Sequence, residues 1–191
     1  MPFLIIGLGN PGRKYTETRH NAGFWFLDRL ADAAGLSFRR SLRLHSNVAK
    51  GNIHGRDCVL AKPRTFMNES GRAVRAVMDY YKAAAPQILV AYDELDLPPG
   101  SVRLKHGGGH GGHNGLRDIF RYTTNQEFLR LRIGIGHPGH RSAVTAYVLS
   151  RPDAAQERLI ISGIEDALAV LPTVLDEDLP AAMKALHTEK S

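Results

Sequence analysis

The residues best suited to move a proton near neutral pH are a histidine and an aspartate in distinctive surroundings. His20 lies within Thr18-Arg19-His20-Asn21-Ala22-Gly23, and Asp93 closes the apolar run from Gln87 to Tyr92. An imidazole can take a proton from water, and a carboxylate beside it can hold the useful tautomer and stabilise the imidazolium that forms. Such a pair would be the His and Asp parts of a triad, with water in place of serine. The competing reading is a histidine with a purely structural role. A covalent nucleophile is not indicated. No G-x-S-x-G elbow occurs, and Cys58, the single cysteine, falls within a predicted strand with no evident base.

Two glycine-rich stretches carry further candidate chemistry. Gly7-Leu8-Gly9-Asn10-Pro11-Gly12 has the G-x-G-x-x-G spacing of a dinucleotide-binding turn. That turn needs a helix starting inside the motif and an acid about 20 residues on, at the end of a second strand. Here Pro11 removes a donor, the predicted helix starts near Asn21, and Asp28 lies inside that helix. The alternative is that the glycines turn the backbone tightly and place Asn10, Tyr15 and His20 around a reacting group. In the tract Lys105 to Gly115, His106, His110 and His113 invite a metal hypothesis, but the five glycines between His106 and His113 disfavour a helical ligand face. The other readings of the tract are a flexible loop and a backbone that approaches a ligand closely while the Asn114 amide hydrogen-bonds it.

The elements that must position these groups follow from periodicity. Phe3 to Ile6 reads as a short buried strand, and Asn21 as the N-cap of a helix with Phe24, Leu27, Leu30, Ala31 and Ala34 on one face and Gly35 as its stop. His20 then sits at a helix N-terminus, where the dipole disfavours imidazolium and favours the neutral base. Residues 36–43, with Arg39, Arg40 and Arg43, read as a basic connection, followed by strands near His45 to Lys50 and Cys58 to Lys62. Phe66, Met67 and Asn68 fall at or before the first turn of a helix carrying Val74, Val77, Met78 and Tyr81. Further strands are expected at Gln87 to Tyr92, Ser101 to Lys105 and Phe128 to Ile135, and helices at Leu116 to Tyr122, Ser142 to Leu149 and beyond Pro152. The expected fold is a single α/β domain over residues 1–191: a mixed, mostly parallel twisted central sheet with helices on both faces. Asn10 and Asp93 both follow strands, and the carboxyl edge of an open α/β sheet is where ligands bind, so the two are expected to share a crevice.

The net charge of +6 is unevenly spread. Residues 153–191 hold eight acids against three bases, a net of −5, which leaves +11 on the remainder. A body this basic suits a polyanionic partner such as nucleic acid, although a solvated basic surface is the plainer reading. A single cysteine cannot form an intramolecular disulfide and fits a reducing compartment. The apolar runs are strand-sized, so neither a signal peptide nor a membrane span is expected.

Taken together, these blocks resemble the bacterial-type peptidyl-tRNA hydrolases. The resemblance rests on Gly7 to Gly12, Thr18 to Gly23, Lys62-Pro63 with Thr65-Phe66-Met67-Asn68 and Ser70-Gly71, Asp93 to Gly100, Gly107 to Gly115, and Arg130 to Pro138, in the family's order and spanning nearly the whole chain. It implies a monomeric, cytoplasmic esterase without metal or other cofactor, which cleaves the bond between a peptide and the terminal ribose of tRNA. By that resemblance His20 is the catalytic base, Asp93 stabilises it, and Asn10 helps to discriminate blocked from free aminoacyl-tRNA. Tyr15, Phe66, Asn68, Asn114 and, less directly, His113 would contribute to substrate binding. Lys105 and Arg132 would meet phosphates of the tRNA acceptor stem. Residues 137–150 match a mobile lid and residues 152–189 the C-terminal helices, both with weaker motifs. A nucleotide-dependent oxidoreductase, a non-catalytic RNA-binding module and a zinc hydrolase remain as alternatives.

Overall fold

A computed structural model describes residues 1–187. Seven strands form one sheet in the order β2-β3-β4-β1-β5-β7-β6. They are β1 (Phe3–Gly7), β2 (Arg39–Ser41), β3 (Ser46–Ile53), β4 (Arg56–Pro63), β5 (Ile88–Glu94), β6 (Val102–His106) and β7 (Leu129–Gly134). The four central strands β4, β1, β5 and β7 run parallel, while β2, β3 and β6 add antiparallel pairs at the two edges. The expected mixed sheet is thus parallel where it carries the site. All five residues of β1 are buried, as a strand covered on both faces requires.

Six helices cover the sheet: α1 (Ala22–Ala34), α2 (Ser70–Tyr81), α3 (Asn114–Tyr122), α4 (Val144–Val148), α5 (Ala154–Leu175) and α6 (Leu179–His187). The alternation of β1 divides the core in two. Phe3 and Ile5 pack with Phe26, Leu27, Ile160 and Ile164 of α1 and α5. Leu4 and Ile6 pack on the other face with Val74, Val77, Leu116 and Ile119 of α2 and α3. Each buried Leu, Ile or Phe contributes roughly 1.5–3 kcal/mol, so both layers hold the sheet firmly. Among the described residues no helix is long and apolar enough to cross a membrane.

Two sequence expectations need correction. The basic connection at residues 36–43 contains the short edge strand β2, because Arg39 to Ser41 pair with the exposed side of β3. Asn21 does not cap α1 with its side chain, since its amide is used elsewhere. The C-terminal helices are present as α5 and α6, with residues 188–189 outside the described residues.

Glycine brings α1 against the sheet. A Cβ on Gly7 would stand 2.4 Å from the Gly23 carbonyl oxygen, and one on Gly23 would stand 2.4 Å from that of Ala91. The backbone of α1 therefore rests directly on β1 and β5, and the turn that precedes it, Arg19 to Asn21, lies over the end of β5. Gly9 is filled from above by the Phe24 ring, and α1 starts outside the glycine motif. Gly7 and Gly9 thus serve helix packing, and the motif runs into a single 3-10 turn, Arg13–Tyr15, in place of the α-helix a dinucleotide-binding turn requires.

Candidate active site

Asp93, 3% exposed at the carboxyl end of β5, receives two histidines. His20 Nδ1 lies 2.8 Å from Oδ2, and His113 Nε2 lies 2.8 Å from Oδ1. Burial by itself would raise the Asp93 carboxyl, but the facing histidines and their hydrogen bonds hold it well below the usual carboxylate range. An ionised carboxylate only accepts, so each imidazole must donate through the nitrogen that faces it. The two tautomers are thereby fixed, and they differ.

His113 has its second nitrogen occupied. It precedes α3, and its Nδ1 accepts from the backbone N–H of Gly115 at 3.1 Å and of Leu116 at 3.4 Å, capping the helix. No lone pair remains on the ring. Among the described residues nothing pairs with His20 Nε2, whose lone pair is directed away from Asp93. Burial pulls the His20 pKa down, but attraction and hydrogen bonding to Asp93 outweigh it and raise the pKa above its ordinary 6.5. The helix-dipole expectation is corrected in direction, because a buried carboxylate in contact exceeds the partial charge at a helix end.

Asn10 and Asn21 lock together on the neighbouring loop. The Asn10 backbone N–H donates to Asn21 Oδ1 at 2.8 Å, and Asn21 Nδ2 donates to the Asn10 carbonyl at 2.9 Å. The Asn10 side-chain oxygen accepts from Met67 N–H at 2.7 Å. Its Nδ2 is left as the group it can offer a ligand, and that group is a donor. Tyr15 and Phe66 meet edge to face at 6.3 Å, with Phe66 53% exposed. Asn68, in the turn before α2, and Asn114, the first residue of α3, are both exposed with amides toward solvent or weakly held; Asn114 has only a 3.5 Å contact from Arg117.

The remaining predicted residues lie further along the sheet. Lys105 and Arg132 share one face of the β6–β7 pair with Arg103 and Arg130. Arg132 is paired with Glu94 at 2.8 Å, whereas Lys105 is exposed beside Gly108. The three histidines of the glycine tract part company. His106 faces Glu127, His110 accepts from Gly112 N–H, and His113 turns to Asp93. Among the described residues the one cluster with metal-ligand composition is His20, Asp93 and His113. Its facing nitrogens carry hydrogens aimed at Asp93, so a cation there would have to displace both hydrogen bonds.

Sequence reasoning missed three residues that build the site. Asn21 was read as a cap. Arg130, fully buried between Phe120 and Phe128, donates to the carbonyls of Gly108 and Gly109 and so shapes the tract that delivers His113. Arg19, also buried, donates to Ser150 Oγ at 2.6 Å and Gln156 Oε1 at 2.8 Å and stacks on Tyr147. Two arginines alternating with apolar residues in a strand were the available signal for Arg130, though they did not say which of the pair is buried; nothing local marked the other two.

The whole chain can be set beside known proteins. Residues 4–191 match the family model described as peptidyl-tRNA hydrolase. Peptidyl-tRNA hydrolases from two strains of Acidithiobacillus ferrooxidans are 53% identical over 189 residues, covering 99% of this chain and all of theirs. The crystal structure of peptidyl-tRNA hydrolase from Acinetobacter baumannii superposes with a TM-score of 0.96 at 45% identity, over 99% of this chain and 96% of that one.

Proposed function

The chain belongs to the peptidyl-tRNA hydrolase family, and from that premise we propose that it hydrolyses the ester between a peptide and the terminal ribose of tRNA, with His20 as general base. The observation that carries the assignment of the base is the asymmetry around Asp93: of the two imidazoles it holds, only His20 keeps a free ring nitrogen.

The steps follow from that geometry. His20 Nε2 takes a proton from water as its oxygen attacks the ester carbonyl, and the imidazolium is stabilised by Asp93. The tetrahedral intermediate collapses, the ribose oxygen leaves, and the imidazolium returns the proton to it. A ribose alkoxide leaves more readily than an amine, so a base and oriented water suffice without a covalent intermediate. The exposed amides of Asn68 and Asn114 supply donors for the developing negative charge, each worth up to about 3 kcal/mol of barrier. His113 holds Asp93 in place and ties it to α3, a positioning role.

Asn10 supplies selectivity. Its Nδ2 donates to a peptide carbonyl, which an N-blocked substrate presents, whereas a free α-ammonium brings only further donors. Tyr15 and Phe66 bear on the acyl side chain. Lys105 and Arg132 meet RNA phosphates on the other side of Asp93, so binding weakens with salt. The lid reading for residues 137–150 is kept with a boundary. Gly136 and Gly139 both have positive φ, while Tyr147 is fixed by Arg19 and by its hydroxyl's bond to the Ile135 carbonyl, so motion belongs to the segment between them. All of these groups come from one chain, which suits a monomer, and the substrate class suits a cytoplasmic protein.

One assay tests the reading. Purified protein is incubated with N-acetyl-aminoacyl-tRNA and with unblocked aminoacyl-tRNA, with and without EDTA, and released amino acid is followed. Selective cleavage of the blocked ester, unaffected by chelator, is expected; loss of activity with EDTA would favour a metal-dependent hydrolase, and binding without product an RNA-binding module.

A further inference from the structure

Positive charge that the reaction leaves unused is gathered beyond Phe66. A cavity of about 190 Å³ there is lined by Arg40, Ser41, His45, Arg64, Thr65 and Arg72. It opens where β2, β3 and β4 converge, with Ser46 in register with both Ser41 and Pro63. His45, in the left-handed region at φ 48°, turns the chain there, and its carbonyl accepts from Arg64 N–H at 2.7 Å. No acid lines the cavity, and among the described residues Arg40, Arg64 and Arg72 have no ion-pair partner. A cavity with no acid in its lining, rimmed by guanidinium groups that lack ion-pair partners among the described residues, suits an anionic acceptor.

Which anion follows from how the substrate's two arms leave the ester. An ester, like a trans peptide unit, sets its two carbon substituents on opposite sides of the C–O bond, so the arms diverge. Asn10, Met67 and Phe66 lie on the β1–β4 side of His20, and Lys105 and Arg132 on the β7–β6 side. With Asn10 holding the peptide, the peptide arm heads across β1 toward β4 and the cavity, while the RNA departs the other way. Strands stand about 4.8 Å apart, which puts the cavity roughly 10–15 Å from β5. An extended peptide covers that distance in about three to five residues.

We infer that this cavity is an anion subsite for the peptide arm, taking the carboxylate of an aspartate or glutamate three to five residues from the ester. The inference rests on the reading of function given above. Guanidinium groups suit it because they bind carboxylates in paired hydrogen bonds.

The test uses N-acetylated hexapeptides esterified to one tRNA, identical but for Glu or Gln at residues three to five from the ester. N-acetyl-aminoacyl-tRNA, too short to reach the cavity, serves as the reference. Wild-type protein is expected to favour the Glu series by about fivefold in kcat/KM, mainly through KM, less so at high salt. The double variant Arg64→Gln, Arg72→Gln is expected to treat both series alike while keeping the reference rate, and Arg64→Lys, Arg72→Lys to regain part of the preference. Equal rates for Glu and Gln peptides in the wild type overturn the subsite. So does a uniform loss on every substrate, the reference included, with a shallower salt dependence in the Gln variant, which would assign the cavity to RNA phosphate instead. No cleavage of the reference by wild type sinks the functional reading and the subsite together, whereas cleavage without a Glu preference sinks the subsite alone.

Discussion

Two segments of very different character deliver a histidine to the same carboxylate. The turn at Arg19 to Asn21 is buried, braced by α1 and by the Arg19 network, and presents His20. The tract from Gly107 to Asn114 is an open loop, with positive φ at Gly107, Gly108, Gly111 and Gly112, and is held by Arg130. Both histidines sit 2.8 Å from Asp93, so proximity does not separate them. What separates them is the second nitrogen. The tract ends in a helix whose unpaired N–H groups claim the His113 ring, while the turn leaves His20 Nε2 to solvent or substrate. Local backbone context thus occupies the second nitrogen of one imidazole and leaves that of the other open.

The largest expected effect breaks the turn. His20→Ala should lower kcat by about 10²- to 10⁴-fold with substrate binding little changed, and because it leaves one oxygen of the buried Asp93 unpaired it should also cost about 1–3 kcal/mol in denaturant unfolding. A His113→Ala variant as impaired in kcat as His20→Ala would refute the division of roles. Asp93→Asn comes next. The base must be unprotonated, so wild-type kcat/KM falls as pH drops through the His20 pKa, which lies above 6.5. Without the carboxylate, burial alone acts on His20 and its pKa moves below 6.5. The acid limb of the pH–rate profile should therefore shift to lower pH while the plateau drops by about 10²-fold; an unmoved limb would count against Asp93 as the cause.

Smaller effects probe the tract and the asparagine lock. His113→Ala removes the cap on α3 and leaves one Asp93 oxygen unpaired, so denaturant unfolding should show a loss of about 1–3 kcal/mol, with turnover down about tenfold. Asn10→Ala should narrow the ratio of blocked to free substrate by about tenfold, read as the two kcat/KM values. Asn21→Ala, which frees the Asn10 backbone without touching its amide, should narrow the same ratio by about threefold. If Asn21→Ala matched Asn10→Ala, the lock rather than the amide would carry selectivity.

Much of the fold was legible because burial writes itself into local sequence. The continuous apolar runs at Phe3 and Ile88 mark strands covered on both faces, and the helical spacing of Leu27, Leu30 and Ala31 marks the face of α1 that packs, although Phe26, not the expected Phe24, completes it while Phe24 lies over Gly9. The pairing of His20 with Asp93 was also a sequence expectation, from the chemistry of the two residue types and from the family resemblance of the blocks that hold them. The fate of Asn21 was not legible: a residue ideal for capping spends its amide on Asn10, 11 positions away, because the glycines bring α1 onto β1. Nor was β2, whose three polar residues are a strand only because β3 offers an edge.

The sequence alone determined which groups exist to do chemistry and roughly where each enters the sheet, because residue type and local periodicity are properties of the chain. Which nitrogen of which histidine is free was decided only in three dimensions. So were the direction of the His20 pKa shift and the side of Asn10 that faces a ligand. The His113 cap is local, but its pairing with Asp93, that of His20 with Asp93 and that of Asn10 with Met67 span 20 to 73 residues, brought within hydrogen-bond distance by the packing of α1 and α3 on opposite faces of the sheet.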